Sequence, residues 1–288
     1  MPARDISPLR YPGGKGSITP FFRALLAAQK ETPEVFVEPF AGGAGVSLRL
    51  LLESRISRIV LNDLDAGIAA FWRSVFDRTD DLVALIEKAD VSIAEWHRQS
   101  AVRALPRGSV DDLALGFATF FLNRTNRSGI LDARPIGGLD QTGQWKLDAR
   151  FNRPVLADRV RALGVLRDSV TVTEQNAVTL VAGFLSPEAF IYADPPYLVK
   201  GGDLYLDAMT WADHQKLAAS LARSRGLWMV TYDHDAKVAD LYPAFRRAEF
   251  ALAHTAARPH IGKEYAVFSD RVDIPALDGL GHDPAFVA

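Results

Sequence analysis

The sequence predicts an α/β protein with a parallel sheet and a helical segment inserted into it. Short apolar runs of β-favouring residues alternate with helix-like runs before residue 79 and again after residue 163, as in βαβ units. Between these points helical periods dominate, and no strand–helix alternation is found. We therefore expect one α/β domain built from residues 1–78 and 164–288, and an inserted helical domain of residues 79–163.

Composition limits the classes of protein that the chain can belong to. The 288 residues are 48% hydrophobic and 24% charged, as in ordinary globular proteins. Because the chain has no cysteine, disulfides, thiolate zinc sites and cysteine nucleophiles are excluded. The first 15 residues lack the apolar core of a signal peptide, and the longest apolar run, Leu113–Leu122, is too short to span a bilayer. We therefore expect no membrane partner and a cytoplasmic location.

Charge is unevenly distributed along the chain. The net charge of −2 does not by itself indicate a nucleic-acid partner. The segment from Arg98 to Arg161 differs, because it has 11 Lys and Arg against 6 Asp, a net charge of +5. A basic segment on an acidic body fits polyanion binding, and it fits an ordinary solvated face as well.

A glycine-rich turn follows the first predicted strand. Val35–Glu38 has the pattern of a strand, Pro39–Gly45 that of the turn, and Val46–Leu52 that of a helix. This arrangement binds adenosine-containing cofactors in two groups of enzymes, one using dinucleotides and the other S-adenosylmethionine. The dinucleotide fingerprint needs a glycine at position 48, where this chain has Leu48, so a nicotinamide-dependent oxidoreductase is the less favoured alternative.

The second predicted strand, Arg58–Leu61, ends at Asn62 and Asp63. An acidic residue at this place can accept hydrogen bonds from both ribose hydroxyls, and Asp63 lies 18 residues beyond Gly45, close to the expected spacing. The alternative is that Asn62 or Asp63 caps the helix predicted over Asp65–Phe76. The two roles are compatible.

Upstream, the loop Arg10–Gly16 precedes a helix-like run at Thr19–Gln29. Its glycines allow backbone N–H groups to approach an anion, and Lys15 adds a positive charge. The spacing is not that of a Walker loop, and no apolar strand precedes it. The loop alone is equally compatible with a flexible turn.

The strand Phe190–Ala193 ends at a carboxylate. Asp194 follows it, and Pro195 and Pro196 end the strand because they lack backbone donors. Open α/β sheets place their ligand crevice at this end of the strands. An acceptor, exposed carbonyls and the face of Tyr197 on a stiff turn suit a planar base with an amino group. The alternative is simply a strand that ends in an acidic Pro-Pro turn.

The most basic stretch of the inserted segment follows an apolar helix. Asn123, Arg124, Asn126 and Arg127 form a polar stretch there, and Lys146 lies further along among basic and aromatic residues. Asn and Arg side chains can recognise base edges, and Arg also binds phosphate. We predict that these five residues contact DNA. The alternative is a polar loop that caps the preceding helix.

Taken together, these motifs resemble the Dam-type family of DNA adenine methyltransferases, over about residues 9–270. The motifs stand in the order of that family: Arg10–Lys15, Phe36–Gly45, Asn62-Asp63, Phe120–Gly129, Asp194–Tyr197 and Lys263–Tyr265. The resemblance implies a doubly wound, mostly parallel seven-strand sheet, the Rossmann-like fold of class I methyltransferases, with a helical target-recognition insert at residues 79–163.

The resemblance also implies S-adenosylmethionine as co-substrate and no metal. The implied cofactor-binding residues are Tyr11, Lys15, Glu38, Phe40, Gly42, Asp63 and Asp194. Two departures stand out: Tyr11-Pro12 replaces the Trp-Ala that the family often has before Gly-Gly-Lys, and Asn126–Gly129 differs from the stretch of Dam enzymes of known target. The recognised DNA sequence therefore cannot be inferred.

The implied activity is site-specific methylation of the exocyclic amino nitrogen of a flipped-out adenine in double-stranded DNA. Asp194 and the Pro195 carbonyl would accept the amino hydrogens, and Tyr197 would stack on the base. Alternatives are methylation of an RNA adenine, methylation of the cytosine amino group, where Ser-Pro-Pro-Tyr is usual instead of Asp194–Tyr197, and a non-catalytic DNA-binding protein. Double-stranded DNA and a cognate restriction enzyme are the expected partners, in a bacterial or phage-infected cell.

Overall fold

The computed structural model describes residues 6–11, 13–184, 186, 188–196, 198, 209–254 and 260–287. Within these residues one sheet has eight strands in the order β3–β2–β1–β4–β5–β7–β6–β8. The strands are β1 Val35–Glu38, β2 Arg58–Asn62, β3 Val170–Thr173, β4 Ala189–Ala193, β5 Leu227–Asp233, β6 Arg246–His254, β7 His260–Phe268 and β8 His282–Val287. The first five pair in parallel, and the other three are antiparallel.

The helices pack on both faces of the sheet. They are α1 Thr19–Ala28, α2 Gly45–Leu52, α3 Ala66–Asp77, α4 Thr79–Lys88, α5 Ile93–Arg103, α6 Asp112–Thr125, α7 Arg153–Gly164, α8 Ala177–Ala182, α9 Trp211–Arg223 and α10 Lys237–Leu241. The predicted doubly wound, mostly parallel sheet is therefore confirmed. The prediction of seven strands omitted β8, an edge strand in which Pro284 cannot donate to the ladder and most side chains are partly or fully exposed.

Two hydrophobic clusters hold the sheet between its helices. On one face, Phe22 of α1 makes edge contacts with Phe36 of β1 and Phe190 of β4, whose rings stack on each other. On the other face, Trp228 of β5 packs with Leu217 of α9. Since β4 is buried on both faces, all five of its residues are buried, which explains the continuous apolar run in the sequence.

The segment between α3 and β3 is helical, as predicted, and no sheet strand falls within residues 79–163, all of which are described. Its helix α6 packs tightly on α3, because a Cβ at Gly116 would lie 2.7 Å from the Ala70 carbonyl oxygen. Phe120 of α6 stacks on Phe71 of α3 and belongs to the same cluster as Phe36. The segment thus shares a core with the sheet, and its role as a separate recognition domain stays a prediction.

Helix α6 is longer than the apolar run that predicted it. It continues to Thr125, so Asn123 and Arg124 lie in its last turn rather than in a following loop. Helix α7 was not predicted, because Pro154 and the polar residues around it weaken the apolar pattern; Pro154 stands in its first turn, where proline is tolerated. In the part of the chain that the structure describes, none of the helices has the length and apolar character needed to cross a membrane.

Candidate active site

A cavity of about 1000 Å³ opens at the carboxyl ends of β1, β2 and β4. Strands β2 and β4 flank β1 on opposite sides, so the order of the strands reverses at β1. Doubly wound sheets bind their ligands at such a point. The loop before α1, the turn after β1 and the end of β4 line the cavity, and the inserted segment closes one side with Arg103, Arg124 and Leu131.

The turn after β1 is shaped by glycine and closed by Tyr11. Gly42 has φ +44°, and a Cβ there would lie 2.7 Å from the Tyr11 ring. The Gly42 carbonyl accepts a hydrogen bond of 2.9 Å from Trp72 Nε1. Phe40 is half-buried and lines the cavity beside this turn. The sequence-predicted residues Tyr11, Phe40 and Gly42 are therefore brought together.

Asp63 holds this turn from the second strand. Its carboxylate accepts hydrogen bonds from the backbone N–H of Gly42 at 2.9 Å and of Asp65 at 3.0 Å. The cap of α3 is Asp65, which accepts from Gly67 and Ile68, so the prediction that Asn62 or Asp63 caps this helix is wrong. Asp63 instead lines the cavity where a ribose is expected.

Asn62 has a different task beneath the cavity. Its side-chain amide donates to the carbonyls of Pro39 and Gln175 and accepts from Thr173 Oγ1 and the Gln175 N–H. It is fully buried. It therefore ties the ends of β1, β2 and β3 together.

Lys15 is a buried cation at the floor of the cavity. Its Nζ lies 3.1 Å from both Asp194 carboxylate oxygens and 3.2 Å from Glu264 Oε2, and it donates to the Gly13 carbonyl. The Lys15 side chain is only 2% exposed, so the anions that it meets belong to its own chain. The loop is therefore not a flexible turn at this residue.

Asp194 stands one residue beyond β4 and is held from two sides. Thr231 of β5 donates to Asp194 Oδ1 at 2.6 Å, and Lys15 lies opposite. Because the Thr231 proton is used in this bond, the 3.2 Å contact between Tyr192 and Thr231 is one in which the Tyr192 hydroxyl donates. Asp194 keeps 23% of its side chain exposed and lines the cavity.

Glu38 ends β1 next to this group. It is buried and accepts a hydrogen bond of 3.1 Å from the Ser47 N–H at the start of α2. Burial, aided by the nearby charge of Asp194 and only partly offset by Ser47, raises the pKa of Glu38 to about 7. Pro195, also buried, lines the cavity next to Asp194. Tyr197 lies outside the described residues.

Two residues predicted to contact DNA are buried instead. Asn123 is 1% exposed; its amide donates to the carbonyls of Arg10 and Gly129 and accepts from the Arg10 N–H. Asn126 is fully buried and accepts from Trp96 Nε1 at 2.6 Å. In this structure both side chains hold the segment together, and direct DNA contact by Asn123 and Asn126 stays a prediction.

The three predicted basic residues differ in their surroundings. Arg124 donates to the Arg150 carbonyl and lines the cavity. Lys146 is exposed, and its ammonium donates to the carbonyls of Gln141 and Gly143 within its own loop. Arg127 is exposed in the short turn Arg127–Gly129 that follows α6.

Sequence reasoning missed three side chains of this region. Arg103 of the inserted segment forms an ion pair of 2.7 Å with Asp65, and Thr231 and Glu264 contact the Asp194 and Lys15 groups. No local pattern marks Arg103 or Thr231, because each acts through a partner far away in sequence. Glu264 belongs to a motif that the resemblance used, but nothing in that motif indicates an ion pair with Lys15.

The fold and this cavity define the class of protein. A doubly wound sheet with an antiparallel β7, a glycine turn after β1 and a carboxylate at the end of β4 is the arrangement of a class I methyltransferase. Residues 11–253 match the family described as D12 class N6 adenine-specific DNA methyltransferase, and the chain belongs to that family.

A curated relative agrees with this assignment. The chain is 20% identical over 203 residues to the type II methyltransferase M.MjaIII of Methanocaldococcus jannaschii. The similarity covers 66% of this chain and 68% of that protein. The family makes S-adenosylmethionine the methyl donor and DNA the substrate.

Replacing Asn123 with alanine should destabilise the protein. The substitution leaves the part-buried backbone groups of Arg10 and the buried carbonyl of Gly129 without this partner, which typically costs about 1–3 kcal/mol. Urea unfolding measures this change, with Arg127→Ala as an exposed control expected to stay within about 0.5 kcal/mol of the wild type. Unchanged stability together with weaker DNA binding would contradict this structural role and support Asn123 as a DNA contact.

Glu38 should make stability fall as pH rises. Its pKa is raised from 4.5 to about 7, so the folded protein holds this proton more tightly than the unfolded chain. The contribution is therefore fully present below pH 4.5 and lost as pH rises to about 7, by at most about 3 kcal/mol. Glu38→Gln removes this titration. The difference between the unfolding free energy of the variant and that of the wild type should therefore shift in favour of the variant as pH rises across this range. Parallel profiles of the two proteins would contradict the assignment.

Proposed function

We propose that this methyltransferase acts by direct in-line displacement on the amino nitrogen of an adenine flipped out of double-stranded DNA. The observation that carries the proposal is Asp194, held by Thr231 and Lys15 at the carboxyl end of β4 with part of its carboxylate facing the cavity. The co-substrate supplies a methyl group on a sulfonium, a good leaving group. The protein therefore needs mainly to position the reactants and stabilise developing charge.

The residues around the cavity fit S-adenosylmethionine. The glycine turn, the Tyr11 ring and the Asp63 carboxylate offer a surface for the adenosine part, which agrees with the predicted roles of Phe40 and Gly42. Glu38 and Asp194 place acidic groups close to one another, which suits a molecule with a positively charged sulfur. The proposed co-substrate contacts are Tyr11, Glu38, Phe40, Gly42, Asp63 and Asp194, with Lys15 contributing through the Asp194 carboxylate that it holds.

Asp194 and Pro195 would act on the adenine amino group. The carboxylate would accept one amino hydrogen and the Pro195 carbonyl the other, which turns the nitrogen lone pair toward the methyl group. As the nitrogen becomes positive, the carboxylate stabilises it without having to reorient, because Thr231 and Lys15 already fix its position. The stacking of Tyr197 on the base stays a prediction from the sequence alone.

The DNA surface is proposed to include Arg124, Arg127 and Lys146. Its support is the net charge of +5 between residues 98 and 161 and the exposure of Arg127 and Lys146. Arg124 lines the cavity that an extruded nucleotide would have to enter, which supports its inclusion. Since flipping leaves the duplex strained, phosphate contacts near this entrance would help to hold it open.

The family assignment favours this function over the alternatives. An adenine-specific DNA methyltransferase family is a poorer match for an RNA enzyme, a cytosine enzyme or an oxidoreductase. A cognate restriction enzyme is a further proposed partner, because the relative is named a type II methyltransferase. The DNA substrate makes the cytoplasm of a bacterial or phage-infected cell the proposed location.

Replacing Asp194 with alanine should abolish methylation without unfolding the protein. The carboxylate follows its strand and is partly exposed, and Glu264 remains as a partner of Lys15, so the sheet should stay folded, while losing a charge-stabilising group in a reaction site typically costs about 100- to 1000-fold in rate. Mass spectrometry of N6-methyladenine in treated DNA measures the rate. Asp270→Ala, an exposed carboxylate beyond β7, is the matched control. Methylation near the wild-type rate by the Asp194 variant would contradict the mechanism.

Replacing Arg127 with alanine should weaken DNA binding. If Arg127 contacts only phosphate, affinity should fall alike for all duplexes, and the slope of log affinity against log salt should drop by about one. If it contacts a base, sequence preference should relax instead. Fluorescence anisotropy at several salt concentrations distinguishes these results. The control is Arg58→Ala, because Arg58 begins β2 and so lies at the end of this strand away from the cavity. Binding identical to the wild type would remove Arg127 from the interface.

A further inference from the structure

Two buried charges and one partly exposed charge meet at the floor of the cavity. The Lys15 ammonium lies 3.1 Å from Asp194 and 3.2 Å from Glu264, and the exposed fractions of the Lys15 and Glu264 side chains are 2% and 1%. Only Asp194 faces the cavity to a substantial extent. The Lys15 ammonium therefore pairs with two carboxylates. Asp194 faces the cavity, and Glu264 is buried away from it.

Glu264 reaches Lys15 from a different part of the sheet. It lies on β7 opposite Asp233 of β5, whereas Asp194 follows β4. Strand β7 runs antiparallel to β5, and Glu264, in the middle of β7, is the first of its residues to pair with β5, opposite the last residue of that strand. Glu38, at the end of β1, adds a third carboxyl group to the same region.

The second carboxylate has an electrostatic consequence. An ammonium paired with Asp194 alone would cancel its charge and weaken it as an acceptor. Sharing the ammonium with Glu264 leaves the group Lys15–Asp194–Glu264 with a net negative charge. Because the reacting methyl must point toward an amino group bound at Asp194, this charge acts near the sulfur of the co-substrate, in surroundings that screen charges less than water does.

We infer that Glu264 is a positioning residue that, through Lys15, keeps the floor of the cavity negative and so favours the sulfonium co-substrate over its neutral thioether product. The inference rests on the proposed function, since it assumes that S-adenosylmethionine occupies this cavity. It also assigns a task to Lys15 that differs from anion binding. The lysine holds Asp194 in place, and Glu264 supplies the charge that the lysine would otherwise remove.

The test compares the affinities of S-adenosylmethionine and S-adenosylhomocysteine by calorimetry. The two ligands differ in one methyl group and the charge on sulfur, so a general distortion of the cavity weakens both alike. Glu264→Gln keeps the shape of the side chain and should lower the ratio of the two affinities about tenfold in favour of the product. The matched control is Glu249→Gln, on the neighbouring strand β6, whose carboxylate pairs with Lys263 instead of Lys15. It should leave the ratio unchanged.

The same substitution in a Lys15→Met protein distinguishes an action of Glu264 through Lys15 from a merely structural role of Glu264. In Lys15→Met the almost fully buried Glu264 has lost the ammonium that lies 3.2 Å from its carboxylate and should be neutral, because burial disfavours the charged form. Adding Glu264→Gln should then change the ratio no further. Urea unfolding of the same proteins gives a readout independent of ligand: the double variant should be at least as stable as Lys15→Met, although Glu264→Gln alone destabilises the wild type.

Two results would overturn the inference. In the first, Glu264→Gln has the same ratio of S-adenosylmethionine to S-adenosylhomocysteine affinity as the wild type. In the second, Glu264→Gln changes this ratio equally in the wild type and in Lys15→Met. Failure of the wild type to bind S-adenosylmethionine at all would instead overturn the proposed function, and the inference with it. If Glu264→Gln alone does not fold, the stability of the double variant relative to Lys15→Met still decides whether the two residues act together.

Discussion

The ion pairs of Lys15 connect the parts of the chain that form the active site. The loop before α1 is far in sequence from β4 and β7, yet the ammonium of Lys15 contacts the carboxylates of Asp194 and Glu264 together. Burying the charges of Lys15 and Glu264 is costly, and the ion pairs of the group offset that cost. The group therefore links the loop, the end of β4 and the middle of β7.

The glycine turn depends on that same loop. Once Lys15 is anchored, Tyr11 lies over Gly42, and no side chain at position 42 would leave room for the ring. Asp63 then accepts the Gly42 N–H, which joins β2 to the turn. The proposed surface for the adenosine part of the co-substrate thus includes contacts among the first 63 residues, and the carboxylate proposed to act in the reaction follows a strand that begins more than 120 residues later.

The inserted segment is attached to this site by polar contacts as well as by packing. Asn123 binds both backbone groups of Arg10, immediately before Tyr11, and Arg103 binds Asp65, just after Asp63. The segment is therefore tied by polar contacts to the residue before Tyr11 and to a residue just after Asp63.

Features that depend on near neighbours along the chain could be predicted before the structure was known. Strand β4 is a continuous apolar run ended by two prolines, and the glycine turn with Asp63 at its expected spacing follows from local order along the chain, so the main strands and the site at their carboxyl ends were predictable. Tertiary structure alone decided which polar groups face inward. Asn123 and Arg127 lie in one polar stretch, but helix α6 continues through Thr125 and turns Asn123 toward the backbone of Arg10, while Arg127 emerges into solvent. In the same way Glu264 becomes a partner of Lys15 only because β7 is antiparallel to β5, a pairing set by long-range packing that no short stretch of sequence encodes.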